Sequence, residues 1–352
     1  MKRIKKFQDL LKKNRWESCI ISRPLDLLYL TGVKVSEGTL YITCDEALLF
    51  VDNRYAEMCA NKVEIACENK ENFDAIMAEK DLSAIYFDSV HTSVQNLHEL
   101  LKSFNEKKTR FYPIENPLEP LRALKDKSEI LRLKTAAKIA SNGFLHILSS
   151  LEVGVTEKEL AKRFEIFCLE NGADKLSFEP IIAFGKNSSM PHYRPQNVRL
   201  QKNTHILVDV GCVYENYCSD MTRVIFYGKP HHKIVTLHSM VQKAQSLALD
   251  MCKAGQSTKS IDQEVRNFFR LYQVDEYFLH SLGHGIGLDI HEEPFLKQNI
   301  KNDTLLKSSM AITIEPGLYI PNVGGIRIEN SILITKTGYT DLTELPQGPF
   351  VV

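Results

Sequence analysis

Residues 205–228 read HILVDVGCVYENYCSDMTRVIFYG, and the reading of this stretch decides the fold. Two β-rich runs flank Glu215-Asn216, which is taken as a two-residue hairpin turn. A turn there pairs Asp209 with Thr222. Asp220, two residues before Thr222, then lies on the same face of the strand pair. The two carboxylates project together as diagonal neighbours. In an apolar setting they repel each other unless a cation sits between them. The bland alternative is two solvent-facing aspartates on an exposed strand.

Three further stretches bear on that choice. Residues 278–292, FLHSLGHGIGLDIHE, alternate Gly283, Gly285 and Gly287, as in a strand that other backbones or a ligand approach closely. His280, His284 and His291 fall within it, which favours a metal or proton-transfer role over satisfied core histidines. Residues 310–335, MAITIEPGLYIPNVGGIRIENSILIT, place Glu315 and Glu329 on two apolar runs joined by a Pro/Gly loop. A carboxylate there is costly unless paired or coordinated; Arg327 is the partner in a plain ion-pair reading. Residues 178–195, FEPIIAFGKNSSMPHYRP, hold His192 between Pro191 and Pro195, where the alternative is a surface histidine. Taken together, Asp209, Asp220, His284, Glu315 and Glu329 offer four carboxylates and one imidazole. That set suits two neighbouring divalent cations of the manganese, cobalt, iron or zinc kind better than a single zinc.

The chain of 352 residues allows two domains, or one large one. Lys plus Arg equals Asp plus Glu at 44 each, a balance that argues against nucleic acid as a main partner. The basic start, MKRIKKFQDLLKKNRW, reads as an amphipathic helix with Ile4, Phe7, Leu10 and Leu11 inward; a membrane-surface helix is the alternative. With no long apolar run after it, neither a secretory signal nor a membrane span is expected. The eight cysteines form no C-x-x-C pair and do not cluster with histidine, which fits a reduced, cytoplasmic setting.

Up to about residue 120, β-rich runs (CIIS, TLYIT, ALLFVD, AIYFD) alternate with helical stretches, an α/β pattern. YPIENPLEPLRAL (112–124) reads as a linker. The amphipathic helix after it carries Ile130, Leu133, Ala137, Ala140, Phe144 and Ile147 at spacings of three and four. The expected domains are 1–122 and 123–352. Within the second, a helix ends at Gly154 and another at Gly255, and each is followed by a capped helix and a β-rich stretch. This is a faint internal repeat that would set two α/β halves face to face.

Together these strings resemble the proline-peptide branch of the pita-bread (M24) metallopeptidases, Xaa-Pro aminopeptidase and Xaa-Pro dipeptidase (prolidase). YLTG, SEGTLYIT and LLFVDNRYAE resemble the family's N-terminal domain. FEPII–PHYRP, the DVG–SDMTR pair, HSLGHGIGLDIHE, IEPGLY and RIEN resemble its catalytic domain. The resemblance implies an α/β (α+β) chain: a creatinase-like N-terminal domain that shapes the cleft, then a curved antiparallel sheet clasped by helices, often as a homodimer. It implies two metal ions, manganese first, with cobalt or zinc as alternatives. Asp220 and Glu329 would bridge them, Asp209 would complete one, and His284 with Glu315 the other. His192, His280 and His291 match positions that handle substrate and protons. His192 and His291 are expected to donate to the developing oxyanion, Glu315 to accept a proton from water, and His280 and Arg327 to bind substrate. Phe178, Phe184 or Tyr193 would wall the proline ring.

The implied substrates are peptides with proline in second position, with no nucleic acid or membrane partner. Relatives often carry Arg where this chain has Phe295, which removes one grip on a dipeptide's terminus. The reading therefore ranks aminopeptidase first and dipeptidase second. Asn330, where an acid is usual, is expected not to disturb metal binding. A methionine-aminopeptidase activity fits the long N-terminal domain poorly, and a metal-free binding module or creatinase-type enzyme fits poorly with five intact ligands.

Overall fold

The computed structural model describes residues 2–104, 109–299 and 303–352, and the chain divides into two compact units, Met1–Arg122 and Ala123–Val352. In the first unit the strands are β1 (Ser18–Ile21), β2 (Thr39–Thr43), β3 (Ala47–Val51), β4 (Ala66–Asn69), β5 (Ala84–Asp88) and β6 (Arg110–Ile114). They form one mixed sheet in the order β4-β3-β2-β1-β5-β6. Helices α1 (Lys2–Asn14), α2 (Pro24–Thr31), α3 (Asn53–Lys62), α4 (Phe73–Glu79), α5 (Val94–Lys102) and α6 (Glu119–Arg122) complete the unit. The expected α/β unit is thus present.

Two local readings are corrected. Helix α1 buries Ile4, Phe7 and Leu11 as expected, but Gln8 replaces Leu10 on the inner face. Its amide donates to Thr43 O, which satisfies the buried group. The proline-rich stretch is not a bare linker. Its first residues complete β6, where Pro113 is tolerated because β6 is an edge strand, and the next form α6.

The second unit contains α7 (Lys127–Ser149), α8 (Glu157–Glu170), α9 (His232–Met251) and α10 (Thr258–Leu271). Its strands begin with β7 (Lys175–Leu176), β8 (Ile181–Phe184), β9 (Thr204–Val210), β10 (Cys212–Tyr214), β11 (Tyr217–Cys218) and β12 (Met221–Tyr227). After α10 come β13 (Gly283–Gly285), β14 (Glu292–Leu296), β15 (Ala311–Ile314), β16 (Gly317–Ile320) and β17 (Gly324–Arg327). The last are β18 (Asn330–Ile334), β19 (Tyr339–Asp341) and β20 (Phe350–Val351). One sheet runs β20-β12-β9-β8 and another β14-β13-β15-β18-β19; apart from the parallel β12–β20 contact their pairings are antiparallel.

The repeat expected from sequence is visible in backbone hydrogen bonds. Gly154 N donates to Leu200 O, and Gly255 N donates to Leu306 O. Thr156 bridges Arg199 as Ser257 bridges Leu305. Each helix pair packs on its own strands. Phe144, Ile147, Leu160 and Phe164 of α7 and α8 meet Val208 and Ile225, while Val241, Ala248, Ile261 and Phe269 of α9 and α10 meet Ile312 and Ile326. Ile130, expected inward, is only half-buried, because Glu129 takes the inner position beside it. Glu129 closes a capping box with Asp126 and accepts from Tyr217 Oη at 2.8 Å.

Candidate active site

The hairpin register is the expected one. Asp209 faces Thr222, and Tyr214 pairs with Tyr217 across Glu215-Asn216, both in the left-handed region at φ 44° and 70°. The strand does not run straight through, however. It breaks between β11 and β12, and Asp220 stands at the break. The Glu-bearing stretch behaves in the same way. Sequence places Glu315 and Glu329 on continuous strands, whereas each stands where a strand is interrupted: Glu315 between β15 and β16, Glu329 between β17 and β18. Their backbone donors find neighbouring strands instead, Glu315 N to Leu282 O and Glu329 N to Thr222 O at 3.1 Å. The interrupted ladders free these carboxylates to converge without leaving peptide groups unpaired.

His284 arrives on β13 because nothing larger than glycine fits beside it. A Cβ on Gly283 would sit 2.1 Å from Thr313 O, and one on Gly285 2.2 Å from Glu293 O. The imidazole Nδ1 meets Gly285 O at 3.0 Å, which turns Nε2 toward the acids: 3.3 Å to Glu315 Oε1 and 3.7 Å to Asp220 Oδ2. Asp220, His284 and Glu329 each offer a ligand atom within 4.8 Å of the others. Asp209 is buried beside them, bonded to the Arg327 guanidinium. The ion pair considered from sequence is therefore Arg327 with an aspartate, not with Glu315 or Glu329. Arg327 also donates to Thr222 Oγ1 at 3.1 Å and Tyr319 Oη at 2.6 Å.

The charges do not balance. Four carboxylates meet Arg327 and His284 as cationic partners. Burial, then Glu329, Asp209 and Glu315, push Asp220 well above the usual carboxylate range. Burial, then Glu315 and Asp209, do the same to Glu329. Burial also raises Asp209, though Arg327 offsets part of it. Burial works against a charged Glu315, but the hydrogen bond and charge of His284 prevail and hold it at about 2. His284 answers in kind: burial opposes its charge, and Glu315 raises its pKa nonetheless. Asp209 Oδ1 and Glu329 Oε1 are buried with no hydrogen-bond partner among the described residues. Open buried acceptors, surplus negative charge and an O/N donor set fit divalent cations.

These groups floor a cavity of about 460 Å³ whose rim includes Phe178, Glu179, His192, Tyr193, Arg194 and Phe295. His192 and His291 are exposed, and the His291 ring stands edge-on to His284 at 4.4 Å between centroids. Burial lowers the His291 pKa, as does the charge of His284. His280 also lines the cavity, but Nδ1 meets Ser281 O at 2.7 Å and Nε2 meets Tyr319 Oη at 2.8 Å. Of the aromatic walls considered, Phe178 and Tyr193 face the cavity, while Phe184 is packed in the α7/α8 core. Asn330 points away, bonded to Asp341 at 2.6 Å and accepting from Gln245 at 3.1 Å.

Three residues that sequence reasoning passed over hold this arrangement. Thr222 donates to Glu329 Oε2 at 2.8 Å and accepts from Arg327. Tyr319 Oη joins Arg327 to His280. Glu157, fully buried at the start of α8, accepts from Phe184 N at 2.8 Å, Asn187 Nδ2 at 3.0 Å, Tyr193 Oη at 2.7 Å and Gln196 N at 2.9 Å. It ties down the loop that carries His192. A first-turn acid beside a capping box reads as solvent-facing, so sequence gave no sign of Glu157. The partners of Thr222 and Tyr319 come from segments far off in the chain or across a hairpin.

Comparison with known proteins bears on the same residues. Residues 132–336 match metallopeptidase family M24, and residues 3–124 match the creatinase/prolidase N-terminal domain. The chain is 34% identical over 345 residues to a Xaa-Pro dipeptidase of Pyrococcus horikoshii, covering 97% of each chain. It is similar to the solved structure of a Xaa-Pro dipeptidase from Bacillus anthracis, with a TM-score of 0.93, 31% identity and coverage of 100% of this chain and 99% of that one. It is also similar to an X-Pro aminopeptidase from Thermotoga maritima, with a TM-score of 0.87, 30% identity and coverage of 97% and 100%. With an M24 catalytic unit behind a creatinase/prolidase N-terminal domain, the chain belongs to the metallopeptidase family M24.

Proposed function

We propose that this metallopeptidase is a Xaa-Pro dipeptidase, which hydrolyses the amide bond between a first residue and a C-terminal proline. The observation that carries the hydrolytic reading is the buried convergence of Asp220, His284 and Glu329 in one cavity, with surplus negative charge around them. The names of the relatives support dipeptides over longer peptides. This reverses the ranking drawn from the sequence, which put aminopeptidase first.

Asp209, Asp220, His284, Glu315 and Glu329 are the residues that would hold two divalent ions, manganese by preference. When bound, such ions make water a competent nucleophile at neutral pH and polarise the scissile carbonyl. The chain's own groups do the rest. Arg327 holds Asp209 in place and Thr222 orients Glu329. Glu315, kept ionised by His284, accepts a proton from the attacking water. His192 and His291, exposed above the floor, donate to the oxygen that gains charge. His280 has both nitrogens engaged, so its role is to fix Tyr319 and through it Arg327; neither His280 nor Arg327 grips substrate directly. Proline's nitrogen, a tertiary amide without N–H, suits a pocket walled by Phe178 and Tyr193.

The protein acts as a homodimer in a reducing compartment, a reading supported by the family resemblance and by eight free thiols. No helix among the described residues is long and apolar enough to cross a membrane. The test is an assay of manganese-loaded protein on a Xaa-Pro dipeptide beside a Xaa-Pro-Yaa tripeptide, with EDTA controls. Dipeptide cleavage alone is expected. Tripeptide cleavage before proline would restore the aminopeptidase reading, which the likeness to the Thermotoga maritima structure favours. Cleavage of neither would remove both.

A further inference from the structure

A dipeptide ending in proline brings a free carboxylate into a cavity already rich in carboxylates. Something must receive it. Of the residues lining the cavity, two carry a permanent positive charge, Arg194 and Arg327. Arg327 is buried on the floor and its nitrogens serve Asp209, Thr222 and Tyr319. A carboxylate brought there would meet Asp209 and Glu315 as well. Arg194 differs in every respect. It stands on the rim with a side chain 77% exposed, and its ionic partner among the described residues is Glu179, also on the rim and 60% exposed, at 3.3 Å.

An exposed pair of this kind contributes little to stability, so exchanging one carboxylate for another costs little. The guanidinium fork can donate two parallel hydrogen bonds to a carboxylate. The exposed side chain rises from a fixed base. Tyr193 beside it and Gln196 two residues on are both tied to buried Glu157. Arg194 is therefore mounted like a rim fitting rather than carried on a loose loop. The rim elsewhere offers Phe295, an uncharged ring with Lys297 Nζ 5.0 Å from its centroid.

We propose that Arg194 is a specificity-determining residue. It releases Glu179 and receives the substrate's terminal carboxylate, so that peptides ending at proline are preferred over those that continue. The proposal rests on the dipeptidase reading above and names the group that would enforce it.

The test uses the full-length, manganese-loaded protein with Ala-Pro and its neutral counterpart Ala-Pro-amide. The wild type is expected to show a lower KM for the free acid. Arg194→Ala should raise KM for Ala-Pro about tenfold or more, leave kcat within about threefold, and leave KM for the amide unchanged. Arg194→Lys should recover part of the loss. Inhibition by L-proline should weaken in Arg194→Ala in parallel with KM. Glu179→Gln, which removes the competing carboxylate, should lower KM for Ala-Pro, and Lys297→Ala should change nothing. An unchanged melting temperature shows that Arg194→Ala is folded. If Arg194→Ala discriminates acid from amide as the wild type does, the proposal is overturned while the dipeptidase reading stands. If Lys297→Ala carries the loss instead, the assignment to Arg194 is overturned. If the wild type cleaves neither peptide, both fall together.

Discussion

The floor and the rim of the cavity are built on opposite principles. The floor is made of strands. Asp209 is placed by register, while Asp220, Glu315 and Glu329 occupy points where a strand is interrupted and the next sheet begins. The part of the rim that carries His192, Tyr193 and Arg194 is a loop with almost no ladder of its own, tied down by four hydrogen bonds to buried Glu157. On the floor, negative charge exceeds what Arg327 and His284 can neutralise. On the rim, Arg194 and Glu179 balance in open water. The difference teaches where each kind of specificity resides. The ion-binding groups proposed on the floor are placed mainly by strand register and strand breaks, whereas the proposed choice of substrate depends on an exchangeable contact mounted on a pinned loop.

The largest expected effect falls on the floor. Asp220→Ala should reduce hydrolysis by about a thousandfold or more, the scale of losing a central electrostatic group, and should weaken manganese binding measured by calorimetry. Activity within tenfold of wild type would break the contrast outright. Glu329→Gln tests the same surplus charge without catalysis. Because Glu329's folded pKa lies well above its ordinary 4.5, the native state keeps that proton after the unfolded state has lost it. Its penalty is absent below about pH 4.5 and grows as pH rises toward the folded value. Metal-free Glu329→Gln should therefore be more stable than wild type at pH 7, and the gap should close toward pH 4 in urea titrations. A gap that widens on acidification would show that the site is not overcharged.

Arg327→Ala should cost about 3–5 kcal/mol in the metal-free protein, since it strands Asp209 as a buried charge. A loss below about 1 kcal/mol would mean that the pair is ornamental. Glu157→Ala sharpens the other half of the comparison. It removes one acceptor shared by four donors, for about 3 kcal/mol. It should also raise hydrogen exchange across residues 185–196 while leaving manganese affinity unchanged. If metal affinity falls equally, floor and rim are one structure rather than two.

The smallest effect concerns His205, whose Nε2 lies 2.9 Å from Ser188 Oγ, the acceptor for Gly325 N in the floor hairpin. Burial lowers its pKa from 6.5 to about 4. The unfolded state thus binds a proton that the folded state refuses. Stability is complete above pH 6.5 and falls as pH drops toward 4. The share from His205 is about 2 kcal/mol between pH 7 and pH 5. His205→Gln should flatten that slope. An unaltered slope would assign the acid loss to His238, which burial also lowers to about 4.

What could be read in advance was whatever is periodic or local. The alternating pattern around Asp209 and the Glu215-Asn216 turn settle the hairpin register, because a one-residue slip would turn every side chain to the wrong face. Gly283 and Gly285 announce a close backbone approach, since no other residue fits there. Of the five ligand-type residues, Asp209 and Asp220 follow from the shared hairpin face, His284 from the glycine-rich stretch, and Glu315 and Glu329 from the cost of burying charge on apolar runs. Tertiary structure alone decided the rest. A straight strand reading could not foresee the interruptions at Asp220, Glu315 and Glu329, because a ladder is broken only when other strands supply its hydrogen bonds. Nor could sequence foresee that Arg327 takes Asp209, that Glu157 turns inward, or that His280 is locked by Tyr319. Each depends on partners dozens of residues away, and sequence spacing carries no record of which distant group will arrive to satisfy a buried charge.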